Sequence, residues 1–533
     1  MIKANKIFFI IVLIAIFLRF YKLGQIPAGL NWDENSNAYN AYSILKTARD
    51  EYGNFLPLYN RSFDDYKPPI YMYLNVPTIA IFSLTPLAAR LPSAFLGVLT
   101  VIAMYYFTKR IFQNESVALG SMFLLAISPW HLQFSRVGFE ANVGLFFAIA
   151  SFTLILYSLI FQNDKPSKRN YLLLLISAVF FGLSFYTYHS DRIFIPAIFI
   201  VFSLIFRKEL LRFPKKIIIT FFILIAIIVM PYFILAPTKA ILNRLESTSL
   251  ETTVKNVDES VKLISEDKEA GQNLSNIIHN RRILIARSYL ANYLTHFDLN
   301  FLFTSGDDNL RHHTEGMGML FLYQLPLLLL SIYLIIQKRT KETLFLVSWL
   351  LLSPLPAVPT NAVPHAVRSF SMVIALQAMC ALAFVHLQER IKQKLIFYLV
   401  TFLIISITTL TYLHNYYKHY PIDHSAAWQY GYKEAALASI KLKNNYDKVI
   451  IDPSLEQAYI FWLFNSKYDP KLYQTQGSKE HFDKFYFNDN TDPNPKNLYI
   501  YTQTMFPNKF KTIETIYDPL GKEIIKLGYT PIN

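Results

Sequence analysis

The sequence predicts an α-helical polytopic membrane protein with a small extracytoplasmic α/β domain at its C-terminal end. Of its 533 residues, 53% are hydrophobic and only 17% are charged, a balance that water-soluble chains of this length rarely show. Apolar runs of membrane-spanning length recur as far as about residue 414, with Lys and Arg residues between them. From about residue 415 these runs stop, and Asp, Asn, Lys, Tyr and Pro become common. The chain therefore divides into a membrane domain, residues 1–414, and a soluble domain, residues 415–533.

The first apolar run, residues 7–20, is predicted to be a retained membrane helix. It ends in basic residues, Arg19 and Lys22, and no small-residue cleavage site of a signal peptide follows it. Lys3 and Lys6 precede it, and positive charge at this end favours a cytoplasmic N-terminus.

One arrangement of the later apolar runs keeps the Lys and Arg clusters inside: about eleven helices, with the N-terminus inside and the C-terminus outside. The outer side then carries a first loop, residues 22–88, and a long loop, residues 236–315. Residues 70–84 are apolar but short and contain Pro77, which indicates a juxtamembrane or re-entrant helix. The predicted spans are residues 7–20, 90–107, a third that ends at Trp130, 142–161, two that flank the turn 186–192, 217–235, one that ends at Lys338, and three that end before residue 415.

The soluble domain is predicted to be a small α/β domain on the outer side. Residues 425–443 and 454–465 have helical patterns, whereas 447–452 and 497–502 are typical of strands.

The formal net charge of +14 does not indicate a nucleic-acid partner, because the basic residues are spread between the apolar runs and form no basic arm. They report orientation in the bilayer instead. Cys380 is the only cysteine, which excludes an intrachain disulfide and a metal site built from several cysteines.

An acidic pair, Asp33-Glu34, follows the first span directly. Ala38, Ala41 and Leu45 recur behind it at helical spacing, so residues 36–49 are predicted to form an amphipathic helix on the membrane surface. The pair would then lie at the membrane-water boundary. The alternative is that these residues only cap the helix and complement its dipole.

Most distinctive polar clusters fall on the predicted outer side. An extracytoplasmic transferase that uses a lipid-phosphate donor needs a base for the acceptor hydroxyl and cations for the departing phosphate. Asp33 is the candidate base, with Glu34 beside it to orient the acceptor or the loop. The candidate phosphate ligands are Lys67, Arg192 and Arg368. Further site candidates are Asp65, Tyr66, Arg136, Glu140, His189, Arg311, His312, His313 and His365.

Each basic candidate has a structural alternative. Lys67, which precedes Pro68-Pro69, could only extend to the interface, and Arg136, Arg192 and Arg368 could anchor helix ends. The pair His312-His313 could bind a metal, but adjacent histidines point to different sides of a helix or strand, which favours plain hydrogen bonding.

Three motifs resemble the first-loop pattern of the GT-C glycosyltransferases, in particular the lipid A aminoarabinose transferases and the protein O-mannosyltransferases (dolichyl-phosphate-mannose-protein mannosyltransferases). They are Gly29-Leu-Asn-Trp-Asp-Glu34, Tyr66-Lys-Pro-Pro69 and Ala89-Arg-Leu-Pro-Ser-Ala94. The resemblance covers the first 200 residues well and the rest by layout. It implies that Asp33 is the catalytic residue and that Lys67 contacts the donor phosphate. Aminoarabinose transferases place a carboxylate directly before that lysine, where this chain has Tyr66, so a divalent metal is left open and no other cofactor is implied.

The expected function is therefore an integral glycosyltransferase of the cell membrane with its active site on the extracytoplasmic face. It would move a sugar from a polyprenyl-phosphate donor to a protein, lipid or glycan by an inverting single displacement. A flippase for lipid-linked sugar is one alternative, but it predicts polar residues at mid-span and paired broken helices. A non-catalytic assembly protein of the cell envelope, with the C-terminal domain as a binding module, is the other.

Overall fold

A computed structural model describes residues 2–63, 65–162, 165–235, 257–272, 274–487, 494–502 and 510–531. Asp64, which precedes the site candidate Asp65, and residues 236–256 of the long predicted loop lie outside the described residues. The chain forms two compact units. Unit 1 comprises Met1–Arg19, Phe95–Ser135 and Glu140–Tyr412, and unit 2 comprises Phe20–Ala94, Arg136–Phe139 and Leu413–Asn533.

Helices dominate the described residues. They are α1 (Ile2–Phe20), α2 (Trp32–Thr47), α3 (Ile70–Phe82), α4 (Pro86–Phe112), α5 (Glu115–Ile127), α6 (Pro129–Ser135), α7 (Glu140–Ser158), α8 (Lys168–Phe185), α9 (Asp191–Ile205), α10 (Arg207–Leu210), α11 (Lys215–Leu235), α12 (257–269), α13 (Ser275–Ile278), α14 (Arg281–Thr295), α15 (Gln324–Gln337), α16 (Lys341–Leu352), α17 (Met372–Arg390), α18 (Lys394–His414), α19 (Tyr420–Asp423), α20 (Tyr432–Leu442), α21 (Ala458–Ser466) and α22 (Pro470–Gln476). The strands are β1 (Asn60–Ser62), β2 (Asp65–Lys67), β3 (Val449–Ile451), β4 (His481–Phe482), β5 (Phe485–Tyr486), β6 (Leu498–Thr502), β7 (Lys511–Tyr517) and β8 (Glu523–Tyr529).

The apolar helices show a multi-pass membrane protein. Within the described residues, six helices are long and apolar enough to cross a bilayer: α4, α7, α8, α11, α17 and α18. A seventh span results if α5 and α6, which meet at a bend of 58°, are one broken span. A helix lies at each predicted position, but α9, α15 and α16 have only 15, 14 and 12 residues. The number of eleven crossings and the orientation stay predictions.

A buried arginine in unit 1 contacts the bend between α5 and α6. Pro129 has no N–H, so it cannot continue α5, and the last carbonyl groups of α5 need other donors. Arg19 supplies them, because its guanidinium donates to Ala126 O at 3.2 Å and lies 2.6 Å from His131 Nδ1. The Arg19 side chain is fully buried.

In unit 2, a six-stranded sheet runs in the order β4-β5-β3-β6-β8-β7. The central strand β3 is fully buried and pairs in parallel with β5 and β6, whereas the outer pairs are antiparallel. The predicted strands 447–452 and 497–502 are present as β3 and β6, and the predicted helices as α20 and α21. The segment after residue 415 therefore contains both helices and sheet strands.

The helix behind the acidic pair was predicted to lie on the membrane surface, and this environment is wrong. A helix forms, but α2 begins at Trp32, and every side chain from Glu34 to Ala41 is buried. Ala38 and Tyr39 belong to the same hydrophobic core as Val449 and Trp462. The intervening Asn and Ser side chains, which resembled a solvated face, form hydrogen bonds inside unit 2 instead. Protein therefore covers this helix where a membrane surface was expected.

Candidate active site

The N-terminus of α2 is capped by Asn31 and Glu34. Asn31 Oδ1 accepts a hydrogen bond from the Glu34 N–H at 2.9 Å, and Glu34 Oε2 accepts one from the Asn31 N–H at 3.1 Å. This reciprocal capping box satisfies two backbone donors that the helix itself leaves without partners. The capping alternative considered for the acidic pair therefore applies to Glu34, and the side chain of Asp33 does not take part.

Glu34 also lies in a buried ion pair with Arg90. Glu34 Oε1 accepts from Arg90 Nε at 2.8 Å and from the Gly138 N–H at 2.8 Å, and both charged side chains are fully buried. Arg90 donates further to Leu23 O at 3.3 Å and to Pro27 O at 3.0 Å. The pair thus fixes the start of α2 against the chain that leads into it, which is a positioning role.

Gly138 allows this close approach. A Cβ atom at this position would lie 2.9 Å from Glu34 Cγ, which real side chains do not tolerate. The glycine therefore lets its backbone N–H reach the carboxylate.

Asp33 projects from the same turn of α2 and forms an ion pair with Lys67. Its side chain is 27% exposed, whereas that of Lys67 is 13% exposed. Lys67 lies on β2, opposite Asn60 of β1, and Asn60 Nδ2 donates to Asn37 Oδ1 of α2 at 2.9 Å. The hairpin is thereby fixed along α2, which places the lysine at Asp33.

Asp65 and Tyr66 precede Lys67 on β2 and are both partly buried. Side chains alternate along a strand, so Asp65 is on the same face as Lys67 and Tyr66 is on the other. The Tyr66 ring packs against Tyr59, with the ring centroids 5.1 Å apart. The carboxylate that this chain places on the lysine side is thus Asp65, two residues before Lys67.

Arg136, a further candidate, is buried in unit 2. Its Nε donates to Tyr416 Oη at 3.2 Å, and the guanidinium carbon lies 5.3 Å and 5.1 Å from the ring centroids of Tyr416 and Tyr417. These contacts are those of an anchor.

In unit 1, Glu140 occupies the first turn of α7, His189 lies in the turn before α9, and Arg192 is the second residue of α9. Arg192 donates to Tyr232 Oη at 2.6 Å and lies 3.0 Å from His189 Nδ1. Asp191 is buried and accepts from Ser184 Oγ at 2.9 Å. These contacts tie the turn to α8 and α11 and support the anchor alternative for Arg192.

The remaining candidates meet at a second place in unit 1. Asp307 Oδ2 accepts from the Ala366 N–H at 2.8 Å and lies 2.6 Å from His312 Nδ1. The rings of His312 and His365 are 5.4 Å apart. His313 has its two ring nitrogens at the carbonyl oxygens of Thr314 and Asp307, at 3.0 Å and 2.7 Å.

The charges at this second place are set by burial and by neighbours. Burial alone would raise the pKa of the Asp307 carboxyl group, but His312 and the Ala366 N–H lower it below its ordinary value. Burial and the positive charge of Arg368 hold the pKa of His365 well below its ordinary value. Arg311 is held locally, since its backbone N–H donates to Asn309 Oδ1 at 3.0 Å.

Glu51 is a buried acid in unit 2 that the sequence did not single out. Its Oε1 accepts from Asn40 Nδ2 at 3.1 Å, and its backbone N–H donates to Asn40 Oδ1 at 2.9 Å. Burial raises the pKa of Glu51 to about 8, with a further increase from Asp50 and a decrease from the Asn40 hydrogen bond. The residue lies in a polar stretch, so no sequence signal marks it as buried.

A pH-dependent stability follows from Glu51. Between its ordinary pKa of 4.5 and about 8, the unfolded chain has released this proton while the folded chain keeps it, so stability falls as pH rises. Glu51→Gln is expected to remove this loss, which amounts to about 2 kcal/mol between about pH 5 and pH 7. Thermal melting at both pH values should show that the melting temperature of the variant, relative to that of the parent, is higher at the higher pH. The exposed Glu456→Gln control should show no such relative increase. A difference in melting temperature between the parent and Glu51→Gln that is equal at both pH values would contradict the assignment.

Comparison with known proteins gives a family match to part of the chain and a similarity of fold. Residues 66–234 match the family model of dolichyl-phosphate-mannose-protein mannosyltransferase. The fold is similar to that of ArnT from Cupriavidus metallidurans in the apo state, with a TM-score of 0.54, 10% identity and 98% of both chains covered. It is also similar to the archaeal oligosaccharyltransferase AglB from Archaeoglobus fulgidus, with a TM-score of 0.50, 14% identity, and 87% of this chain and 63% of that chain covered.

An uncharacterized protein from Aquifex aeolicus is 27% identical over 212 residues, which are 39% of this chain and 40% of the relative. The chain thus matches less than half of this relative's length. The motifs at Asp33, Lys67 and Arg90, the family match and the ArnT-like fold agree with one another. Residues 66–234 are thus similar to a family of mannosyltransferases, and the fold of the chain is similar to those of ArnT and AglB.

Proposed function

We propose that this protein transfers a sugar from a polyprenyl-phosphate carrier to an acceptor on the extracytoplasmic face of the cell membrane. The observation that carries the proposal is the contact between Asp33 and Lys67, which unites a partly exposed carboxylate and an ammonium group. Two proteins of similar fold support the donor class: the archaeal enzyme AglB has been seen with a dolichol-phosphate, and ArnT with undecaprenyl phosphate.

The two side chains divide the chemistry of the transfer. Asp33 accepts the proton of the acceptor hydroxyl while that oxygen forms its bond to the anomeric carbon. The bond from the anomeric carbon to the phosphate oxygen breaks at the same time, and polyprenyl phosphate leaves with the electron pair. A single displacement of this kind inverts the anomeric configuration and forms no covalent sugar-enzyme intermediate.

The ion pair gives Lys67 a second role before the donor binds. The ammonium group of Lys67 balances the negative charge of Asp33 as long as no phosphate competes for it. A donor phosphate draws Lys67 away and leaves the carboxylate free to act as base. Donor binding would therefore activate the base.

Lys67→Ala is expected to weaken the binding of polyprenyl phosphate by about tenfold or more, because one charge-assisted contact to phosphate is lost. Binding can be measured by calorimetry with the purified chain in detergent, with the sugar-free lipid phosphate as the probe. Lys46→Ala is a matched control, since Lys46 is an exposed lysine near the C-terminal end of α2. Equal affinities of Lys67→Ala and the parent chain would contradict the assignment.

The placement of the site on the outer face is tested by topology reporters. A reporter fused after Lys338 is expected in the cytoplasm and one fused after His419 outside, because the basic loops set the orientation. An extracytoplasmic reporter after Lys338 would contradict the placement of the whole site.

The two other candidate functions fit the site less well. A transport path calls for ionisable groups within the membrane at paired broken helices. The partly exposed Asp33–Lys67 pair lies on α2 and β2, neither of which is among the helices long enough to span. A non-catalytic assembly protein would retain its effect on cell-surface glycans after Asp33→Asn, so that variant separates it from a transferase.

A further inference from the structure

Three side chains of metal-ligating type meet in unit 1. Asp307, His312 and His365 are here called the Asp-His-His cluster. Asp307 and His312 are buried, with 7% and 4% of their surface exposed, and His365 is partly buried. The first two lie in the segment after the π-helical turn Asn300–Thr304, and His365 lies in the segment before α17.

The three ligand atoms of the cluster are close enough for one ion to bind them all after small movements of the side chains. One ligand atom from each residue lies within 4.8 Å of the other two. Tetrahedral zinc at about 2.0–2.1 Å from each ligand holds neighbouring ligand atoms about 3.3 Å apart. A pair at this limit therefore needs to approach by about 1.5 Å, and the Asp307–His312 pair, at 2.6 Å, needs to open by about 0.7 Å.

The donor set selects the kind of ion. Two imidazoles and one carboxylate suit zinc and other divalent first-row transition metals, whereas magnesium and calcium prefer oxygen ligands alone. Three protein ligands leave a fourth position for water. The only cysteine, Cys380, is buried in α17 and does not supply a competing thiolate to solvent.

Two other histidines show what distinguishes the cluster. His279 lies 3.2 Å from Asp267, but among the described residues this pair does not belong to a group of three ligands. His313, next to His312, has both ring nitrogens at backbone carbonyl oxygens. The third ligand is therefore what separates a metal site from an ordinary Asp–His hydrogen bond.

We propose that the Asp-His-His cluster binds one divalent transition-metal ion of the zinc class and thereby joins the 307–312 segment to the segment that precedes α17. The ion replaces the Asp307–His312 hydrogen bond with coordination by all three side chains. Arg368 places a positive charge beside His365, so the affinity is expected to be lower than that of a thiolate site. The role is structural and is separate from that of Asp33 and Lys67.

The test uses the full chain, purified in detergent through a tag without histidines and stripped with a chelator. Zinc is added, the unbound ion is removed, and bound zinc is measured by mass spectrometry. One zinc per chain is expected for the parent and for His279→Gln, and less than a tenth of that for His365→Gln and Asp307→Asn. His365→Gln leaves the Asp307–His312 contact in place, so it removes a ligand without removing that hydrogen bond.

A second measurement keeps the test valid if a variant folds poorly. Zinc is expected to raise the melting temperature of the parent and of His279→Gln, and to leave that of His365→Gln unchanged. Cobalt in place of zinc should give visible absorption in the parent and none in His365→Gln. A parent chain that binds no zinc, or a His365→Gln chain that binds as much as the parent, would show that the cluster is only a hydrogen-bonded contact.

Discussion

Asp33→Asn is expected to lower the turnover of a lipid-linked sugar by about a hundredfold or more, which is the scale of general-base catalysis. The amide keeps the size of the side chain and one oxygen but cannot accept the proton of the acceptor hydroxyl. The measurement is the transfer of a radiolabelled sugar from its polyprenyl-phosphate carrier by the purified chain in detergent. Asp33 takes no part in the capping box of α2, so the melting temperature should stay close to that of the parent.

Asp33→Glu is the matched control for this experiment. It retains a carboxylate on a longer side chain and should keep more activity than Asp33→Asn. Near-normal turnover by Asp33→Asn in a folded chain would remove Asp33 as the base. The base would then have to be sought among Glu140, Asp191 and Asp307.

Arg90→Met is expected to destabilise the protein by about 3–5 kcal/mol, the scale for removing one partner of a buried ion pair. Arg90 and Glu34 are both fully buried, and the variant leaves the Glu34 carboxylate without its guanidinium. It also leaves Leu23 O and Pro27 O without the Arg90 donors. Thermal melting of the purified chain measures the loss, and the start of α2 should become accessible to protease.

A double variant separates the ion pair from the packing of the arginine side chain. Glu34→Gln alone should destabilise the chain, because it leaves the charge of Arg90 buried. Glu34→Gln combined with Arg90→Met should lose less stability than the sum of the two single losses, because neither buried charge remains. Strict additivity of the two losses would show that the pair is not coupled.

The sequence was most informative where spacing and residue type act locally. The acidic pair and the Tyr66-Lys-Pro-Pro69 motif stood out, and the structure brings Asp33 and Lys67 into contact. The strands β3 and β6 were predictable because they are short apolar runs with turn residues around them. The catalytic roles of Asp33 and Lys67 stay proposals, because they depend on a bound donor.

The surroundings of α2 could not be predicted from the same pattern. Its Asn and Ser residues resembled a solvated face, but partners distant in sequence satisfy them, for example Glu51 for Asn40 and Asn60 for Asn37. A periodicity of apolar residues identifies one buried face and does not reveal what covers the other. Buried polar residues with distant partners therefore imitate exposed ones.

Buried charged pairs escaped prediction for a related reason. Arg90 was recognised only as part of the Ala89-Arg-Leu-Pro-Ser-Ala94 motif, and its partner Glu34 lies on another helix. Asp307 and His365 are separated in sequence by all of α15 and α16. Only the tertiary fold brings such residues together, although an arginine within an apolar span is itself a signal that a buried partner exists.

The most direct test of the central claim is the glycan profile of cells in which the native copy of this protein carries Asp33→Asn. Mass spectrometry of surface glycans, glycolipids and glycoproteins compares these cells with the parent and with cells that lack the protein. The proposed function predicts that the same sugar disappears in the variant cells and in the cells without the protein, while the variant chain is still present in the membrane. A variant whose surface sugars match those of the parent would contradict the role of Asp33 in sugar transfer.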